Sequence, residues 1–434
     1  MVQIRAFKGI VYDWSRFGDM GPLLAPPYDV ISPEQQEQLY QRHPNNVVRL
    51  ILGKIFADDN EQNSRYTRAA ADLRSWMKDG VVKPYPAPAI YLYTQTYEMD
   101  GKTLTRLGFV CGLKAEAYGE GRVFPHERTL SGPKTDRLNL TRACRMNFSQ
   151  VFGLYSDPTR TLDDMFEKVI GSQKPAVEAE QDGVLHRMWP ISDPKMVQNV
   201  VSFMADMDVV IADGHHRYET AVNYRKERRA QEGGADGDYD YVLMFLSNTH
   251  GQGFTVLPTH RFVLKTDLSA EQVVDALARD FSITPVKVNA AGVDQFMREL
   301  KAAGQKSVSF GLYLGDGDMR LISLKKDAPL PTPPGSERLP ALSHLDVTIL
   351  QELILGKAMG ISREMVEAGG HIYYTKSANE ALEKVDTGGA RMAFLMNPTE
   401  IEQVMQIARG GVTMPQKSTY FYPKLISGLV FNPL

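Results

Sequence analysis

The sequence predicts an α/β (α+β) protein with a mixed sheet. Helical and strand-like segments alternate along its 434 residues, which is typical of domains that pack helices against a sheet. The run Val209–Ile211 is β-branched throughout and fits a strand that is covered on both faces. Two alternating runs, 89–97 and 103–113, are joined by Asp100 and Gly101, which is a strong signal for an antiparallel hairpin.

The N-terminal part contributes scaffold and one candidate ligand. A short strand is predicted over Ile4–Val11, and a helix over 60–80, where the apolar spacing is helical. Between them, Asn46–Leu52 is predicted to be a strand that carries Arg49. A charged residue inside an apolar strand needs an anionic partner. Arg49 is therefore either half of a structural ion pair or a phosphate ligand.

A polar cluster, Asp213–Arg217, follows the buried strand directly. The apolar spacing of Tyr218, Ala221 and Val222 predicts a helix immediately after it. The first turn of a helix offers unpaired N–H groups and about half a positive charge, so it attracts anions. The cluster is therefore predicted to be a phosphate or nucleotide pocket.

Each residue type in this cluster suits such a pocket. Gly214 lets a ligand approach the backbone, and Arg217 offers a planar fork for two phosphate oxygens. Asp213 can accept a proton or share a divalent cation, while His215 and His216 supply donors that charge near neutral pH. One residue of helix register decides which histidine faces the pocket. The alternative is that Asp213 only caps the helix and Arg217 makes an ordinary ion pair.

A second candidate cluster consists of His126, Glu127, Lys134, Asp136 and Arg137. Its lysine and arginine could neutralise a polyphosphate, and the glutamate beside the histidine could act as general base for a hydroxyl nucleophile. The alternative is a solvated, charge-balanced loop that precedes a helix.

Two further candidates lie closer to the C-terminus. His260 follows an apolar strand and a glycine-flanked loop, a location that suits a pocket edge. Lys417 opens an aromatic and cationic run that could close over a phosphate or form an edge strand. A domain boundary is expected after Lys265, which divides the chain into a ligand-binding domain, 1–265, and a C-terminal α/β domain, 266–434.

Composition narrows the function classes. The formal net charge of −3 gives no basic footprint for DNA, and two cysteines are too few for a disulfide framework or a zinc knuckle. No stretch predicts a membrane span or a signal peptide, so a cytoplasmic protein is expected. There is no P-loop, no G-x-G-x-x-G after a strand and no kinase catalytic loop. Any nucleotide is therefore expected to bind through the Asp213 turn.

The turn resembles the phosphate-binding turn of the ParB/sulfiredoxin superfamily. Sulfiredoxins carry their reactive cysteine at the position of His215, so the histidine here excludes sulfinic acid repair. In the archaeal free-serine kinases of this superfamily the turn is Asp-Gly-His-x-Arg, and Asp213–Arg217 fits it position for position.

Over its whole length the chain resembles the DUF1015 family of domains of unknown function, sometimes labelled ParB-like. The resemblance implies a ParB/sulfiredoxin-like core in the first domain. It rests on six segments, which are Ala25–Val30, Pro125–Glu127, Lys134–Leu138, the Asp213 turn, Leu257–Arg261 and Lys417–Lys424.

The leading hypothesis is a small-molecule phosphotransferase that acts on a hydroxyl or a phosphomonoester. Arg217 and Lys134 would hold the phosphate chain of ATP or ADP, with Mg²⁺ at Asp213. His216 would stabilise the transferred group, and Asp213 or Glu127 would accept the proton. The resemblance suggests serine or phosphoserine as substrate and leaves kinase and phosphatase directions open.

Two alternatives remain at this point. One is a nucleotide-binding switch that binds CTP or ATP, turns over slowly and could form a homodimer, as ParB proteins do. The other is a scaffold protein whose turn has lost any ligand. Neither reading involves DNA or a membrane.

Overall fold

The computed structural model describes residues 1–127, 131–287 and 292–434. The chain forms two compact units, which we call the first unit and the second unit. The first consists of Met1–Pro125, Thr129–Thr255 and Pro423–Leu434, and the second consists of His126–Arg128 and Val256–Tyr422. The first unit thus reaches Thr255 and includes the C-terminal segment, while the domain boundary expected after Lys265 stays a prediction.

Backbone pairing explains why the C-terminal segment returns to the first unit. The strand Asn432–Pro433 pairs antiparallel with Met146–Asn147. The N–H of Phe431 donates to the carbonyl of Ile10 at 2.8 Å, and the reverse bond measures 2.9 Å. The side chains of both residues are buried. These partners lie far apart along the chain, so no local pattern reveals the pairing.

The first unit is built on a mixed sheet, as the sequence predicts. Its strand order is β6-β11-β8-β12-β5-β4-β10-β9, with β1 paired to β5. The β6–β11 and β8–β12 pairs are parallel, and the other pairs in this sheet are antiparallel. The strands of this unit are β1 (Ile4–Arg5), β2 (Ile10–Tyr12), β3 (Val82–Pro84), β4 (Ile90–Met99), β5 (Lys102–Lys114), β6 (Val123–Pro125), β7 (Met146–Asn147), β8 (Val151–Tyr155), β9 (Val177–Gln181), β10 (Val184–Ile191), β11 (Val209–Asp213), β12 (Tyr241–Asn248) and β21 (Asn432–Pro433).

The predicted hairpin is confirmed between β4 and β5. Their pairing runs up to Met99 and Lys102, which leaves a two-residue turn. Asp100 and Gly101 adopt φ angles of 51° and 71°, the positive values that a tight hairpin turn requires.

Helices of the first unit follow the predicted apolar spacing in most places. Among them, α7 is the helix that was expected to follow the buried strand. They are α1 (Pro33–Arg42), α2 (Val48–Ile51), α3 (Arg65–Lys78), α4 (Ser131–Cys144), α5 (Thr161–Ser172), α6 (Pro194–Met204) and α7 (His215–Gln231).

The strand predicted over Asn46–Leu52 is wrong, because this segment contains α2. Asn46 is fully buried, and its side chain accepts the N–H of Val48 at 2.9 Å and donates to the carbonyl of Leu24 at 3.0 Å. These side-chain bonds favour a turn over a strand ladder. Arg49 donates to the carbonyl of Tyr40 at 3.1 Å and lies 4.3 Å from its ring centroid.

The second unit contains an antiparallel sheet of order β15-β17-β16-β19-β14-β18. Side chains from the helices Val293–Gly304 and Ala378–Asp386 pack on it, among them Phe296, Leu300 and Leu382. Its strands are β13 (Thr255–Leu257, which begins at the last residue of the first unit), β14 (His260–Val263), β15 (Phe281–Lys287), β16 (Ser309–Tyr313), β17 (Asp318–Leu324), β18 (Ile372–Thr375), β19 (Met392–Met396) and β20 (Tyr420–Tyr422).

One helical segment of the second unit is unusual. The chain passes from α10 directly into a π-helix, Leu350–Ala358. π-helices are rare and frequently occur at functional sites. The helices of this unit are α8 (Ala270–Leu277), α9 (Val293–Gly304), α10 (Asp346–Ile349), the π-helix, α11 (Arg363–Ala368), α12 (Ala378–Asp386) and α13 (Ile401–Arg409).

None of the helices in the described ranges is both long enough and apolar enough to cross a bilayer.

Candidate functional site

The candidate site lies in the first unit, where β11 ends and α7 begins. Val209, Val210 and Ile211 are fully buried in β11, so the chain is fixed up to this point. The pairing of β11 with β8 shifts register between Ile211 and Asp213. Such a bulge re-aims the side chain that follows it. The Asp213 carboxylate therefore lies at the C-terminal end of β11, directly before the helix N-terminus.

Gly214 is required by both conformation and space. Its φ of +88° lies in the left-handed region that favours glycine. A Cβ at this position would lie 2.8 Å from the guanidinium carbon of Arg217. The guanidinium thus folds back over the turn, and a side chain at position 214 would have to displace it.

The Asp213 carboxylate is held by two cations. Arg217 donates from Nη2 to Oδ2 at 2.7 Å, and the ammonium of Lys424 bonds to Oδ1. Arg217 also donates to the carbonyl of Gln150. Burial raises the pKa of Asp213, but Lys424 and Arg217 outweigh it, and His215 adds to their effect. The pKa of Asp213 therefore lies well below its usual range, and the group is a carboxylate at neutral pH.

A third cation, Arg106, lies within electrostatic reach of Asp213. Its side chain is fully buried, and Nε donates to the side-chain carbonyl of Gln95 at 3.1 Å. Gln95 in turn donates to the main-chain carbonyl of Lys424 at 2.9 Å. Burial lowers the pKa of Arg106 to about 10, while the charge of Asp213 is among the influences that oppose this. Arg106 is thus a charged residue within the electrostatic reach of the candidate site.

These groups place several cations around one helix N-terminus. Arg106, Arg217 and Lys424 all act on the carboxylate of Asp213, at a helix end that itself favours anions. The arrangement can therefore bind an anion.

A cleft opens beside Arg217. Tyr28, Arg137, Ser149 and Thr220 are among the residues that line it. The guanidinium carbon of Arg137 lies 3.9 Å from the ring centroid of Tyr28. Burial raises the pKa of Tyr28, and the charges of Arg137 and then Arg217 act against that rise. Two arginines therefore border one cleft, which adds to the anion-attracting character of the site.

Part of the second predicted cluster also lies in the first unit. Lys134 forms an ion pair with Glu219 of α7 at 2.9 Å. Asp136 accepts from Arg137 Nε at 2.8 Å and pairs with Arg65. Burial raises the pKa of Asp136, but Arg137 leads the opposing influences and the net pKa is lowered. Lys134 and Arg137 are thus brought beside α7, while Asp136 serves to hold arginines.

The two histidines of the turn open α7. His215 is buried at its first position. The carbonyl of His216 accepts from the hydroxyl of Thr220 at 2.7 Å. Their assignment to catalysis stays a prediction.

The remaining predicted site residues belong to the second unit, and their roles also stay predictions. His126 is buried, with Nε2 3.0 Å from the hydroxyl of Thr419, and Glu127 forms a parallel bridge to Met414. His260 sits in β14, where Nδ1 accepts the N–H of Met396 at 3.0 Å.

Burial first, and then the charge of Arg261, lower the pKa of His260 to about 4. Lys417 adopts a φ of 57°, and its carbonyl accepts from Arg261 at 3.1 Å. The described contacts of His260 and Lys417 hold the second unit together.

Magnesium was expected at Asp213, and the residues present do not fit a resident ion. No group of three or more His, Cys, Asp or Glu in the described ranges could hold a metal. Both oxygens of Asp213 already accept from cations, so Mg²⁺ would have to displace Lys424 or Arg217.

Sequence reasoning missed Lys424 and Arg106. The sequence predicts a phosphate ligand in the C-terminal run that contains Lys424, but it indicates Lys417 as that ligand. Arg106 lies inside the alternating run 103–113 and is fully buried. A charged residue within a predicted strand is the signal that could have indicated its role. Neither Lys424 nor Arg106 is close to Asp213 in sequence.

Fold and site together define a two-unit α/β protein with an anion-attracting helix N-terminus. The chain belongs to the DUF1015 family, described as a protein of unknown function, whose profile matches residues 4–348. This match confirms the family resemblance carried by the motifs. The search of curated proteins returned no match.

Several solved structures are distantly similar to this chain. Free serine kinase in complex with AMP is 14% identical with a TM-score of 0.33, over 69% of this chain and 83% of that one. A conserved hypothetical protein from Pyrococcus furiosus is 14% identical with a TM-score of 0.33, over 71% and 91%. C-terminally truncated SbnI from Staphylococcus aureus is 9% identical with a TM-score of 0.35, over 74% and 86%. Similarity at this level carries no argument about activity.

Proposed function

We propose that this protein is a small-molecule phosphotransferase that binds a nucleotide at the Asp213 turn. The observation that carries the proposal is the cluster of cations there. Arg106, Arg217 and Lys424 all act on the carboxylate of Asp213, which lies directly before a helix N-terminus. Phosphoryl transfer needs little more from a protein than positioning and stabilisation of negative charge. A site of this charge suits a phosphate chain.

The geometry favours a supporting role for Asp213 over the role of general base. Its pKa is well below neutral because Lys424 and Arg217 stabilise the carboxylate. A base works best when its pKa lies near the working pH. In our proposal Asp213 holds Arg217 and Lys424 in position for the phosphates, and His215 or His216 accepts the proton of the acceptor hydroxyl.

The substrate class comes from the sequence of the turn. Asp213–Arg217 matches the Asp-Gly-His-x-Arg turn of the free-serine kinases. We therefore propose serine as acceptor with ATP, or phosphoserine as donor in the reverse or hydrolytic direction.

The experiment is phosphorus NMR of the purified chain with magnesium in solution. Separate samples contain ATP with serine, ADP with phosphoserine, phosphoserine alone and CTP alone. A new signal that grows beyond one equivalent, and is lost in Arg217→Gln, supports the enzyme and shows its direction. Unchanged spectra in every sample would refute it for these substrates.

One observation favours the nucleotide-binding switch as a second candidate. Both oxygens of Asp213 are engaged by cations, so the first unit presents an anion site whose carboxylate is not free to act as a base. Such a site can bind CTP or ATP without rapid chemistry. The switch predicts nucleotide binding with less than one turnover in the same NMR samples, whereas the enzyme predicts many turnovers.

A further inference from the structure

The second unit contains a cleft that the proposed phosphotransferase does not use. It lies between the helix pair formed by α10 and the π-helix, on one side, and α11, on the other. Thr348 and Gln351 line the first side, and Arg363 and Glu367 line the second. A π-helix at a cleft wall is a frequent mark of a functional site.

Two polar atoms at the first wall lack partners. Thr348 is fully buried, and neither its hydroxyl nor the side-chain amide nitrogen of Gln351 makes a hydrogen bond within the described parts of the chain. Buried donors without partners are uncommon in folded proteins and call for an explanation. A ligand oxygen that reaches this wall would satisfy them.

The second wall presents opposite charges one helical turn apart. Arg363, Val366 and Glu367 lie at i, i+3 and i+4, so they share one face of α11. Arg363 pairs through Nε with Glu352 at 2.7 Å rather than with Glu367. In the ranges that the structure describes, both terminal nitrogens of Arg363 and the carboxylate of Glu367 remain for a ligand.

Apolar side chains complete the cleft. Leu342, Val366 and Met414 are among them, together with Pro333 and Pro334. A ligand that fits must therefore offer one anionic group, one cationic group and a short apolar part. The negative charge of Glu367 would repel a phosphate dianion, and the positive charge of Arg363 would repel a simple amine.

We propose that this cleft binds a free α-amino acid with a small apolar side chain. Its carboxylate would lie on Arg363, with the Thr348 hydroxyl and the Gln351 amide as further donors, and its ammonium would lie on Glu367. Arginine is the residue best matched to a carboxylate because its fork can donate two parallel hydrogen bonds. The inference is independent of the phosphotransferase proposal, since it uses only residues of the second unit.

The test is isothermal titration calorimetry of the full chain with L-alanine, L-valine, L-leucine and L-methionine. Isobutylamine and isovalerate, which are valine without its carboxylate and without its ammonium, serve as probes of the two charges. We expect saturable binding of at least one amino acid. If that ligand is valine, each one-charge analogue should bind at least tenfold more weakly.

Variants locate the binding. Arg363→Gln should weaken the amino acid at least tenfold, and Arg298→Gln, an exposed arginine of α9 in the same unit, should leave it unchanged. Thr348→Val removes the unpartnered hydroxyl at nearly constant volume. It should keep the thermal midpoint of the free protein at or above the wild-type value, yet weaken binding severalfold.

Three outcomes would overturn the proposal. They are the absence of binding by all four amino acids, equal binding by Arg363→Gln with an unchanged thermal midpoint, and binding of inorganic phosphate at this cleft in place of any amino acid.

Discussion

The ammonium of Lys424 bonds to the carboxylate of Asp213, although 211 positions separate the two residues along the chain. The C-terminal segment thereby completes a site whose other parts, Asp213 and Arg217, lie only four residues apart in the sequence. This contact adds to the backbone pairing that holds the last residues in the first unit, where the main-chain carbonyl of Lys424 also accepts from Gln95.

We expect Lys424→Met to destabilise the protein by about 1–3 kcal/mol, because a largely buried carboxylate loses one of its two charged partners. The side chains of Lys424 and Asp213 are 17% and 18% exposed. Urea denaturation measures the change in the free energy of unfolding. Lys83→Met is the matched control, since the side chain of Lys83 is 52% exposed in its pair with Asp13. The control should change stability by less than about 0.5 kcal/mol. Equal losses in the two variants would contradict the account.

Gly214→Ala should be more destabilising than a change at another left-handed glycine. Both Gly214 and Gly233 have positive φ, but a Cβ at 233 meets nothing within 4 Å, whereas one at 214 meets the guanidinium of Arg217. Gly233→Ala should cost about 1–2 kcal/mol, the price of the left-handed conformation alone. Gly214→Ala should cost at least about 1 kcal/mol more, because the added Cβ also crowds Arg217. Thermal and urea unfolding of the two variants give the comparison, and similar costs would show that the packing of Arg217 over the turn is unimportant.

His260 makes stability depend on pH in a defined window. Burial lowers its pKa in the folded protein to about 4, whereas an unfolded histidine titrates near about 6.5. Between these values the unfolded state binds more protons, so stability rises as pH rises from about 4 to about 6.5. The full effect of one such group is at most about 3 kcal/mol. His260→Asn should reduce the slope of the free energy of unfolding against pH in this window, while His186, whose pKa burial lowers to about 3, keeps its own contribution. An unchanged slope would show that another group is responsible.

The sequence was sufficient where local chemistry determines the structure. Asp100 and Gly101 predict the hairpin because both must adopt positive φ, and the run Val209–Ile211 predicts a covered strand because it is β-branched throughout. The polar turn after that strand was recognised for the same reason, since the residues that form it are adjacent.

Contacts between distant residues were beyond local patterns. Arg49 was misplaced in a strand because the buried side chain of Asn46 bonds to carbonyls of an earlier segment and turns the chain into α2. Lys424 and Arg106 reach the Asp213 region only through the folded sheet. The last strand, Asn432–Pro433, joins the first unit because its pairing partners lie there.

The most direct test of the central claim is calorimetric titration of ATP, with magnesium in the buffer, into the wild-type chain and three arginine variants. Arg217→Gln removes the cation that folds over the turn, Arg217→Lys keeps its charge, and Arg298→Gln is the control on the exposed surface of the second unit. We predict saturable binding to the wild type, weakening of at least about tenfold in Arg217→Gln because a charge-assisted contact worth about 1.5–3 kcal/mol is lost, intermediate affinity in Arg217→Lys and no change in Arg298→Gln. No binding to the wild type, or equal affinity in Arg217→Gln with an unchanged fold, would contradict a phosphate site at the Asp213 turn.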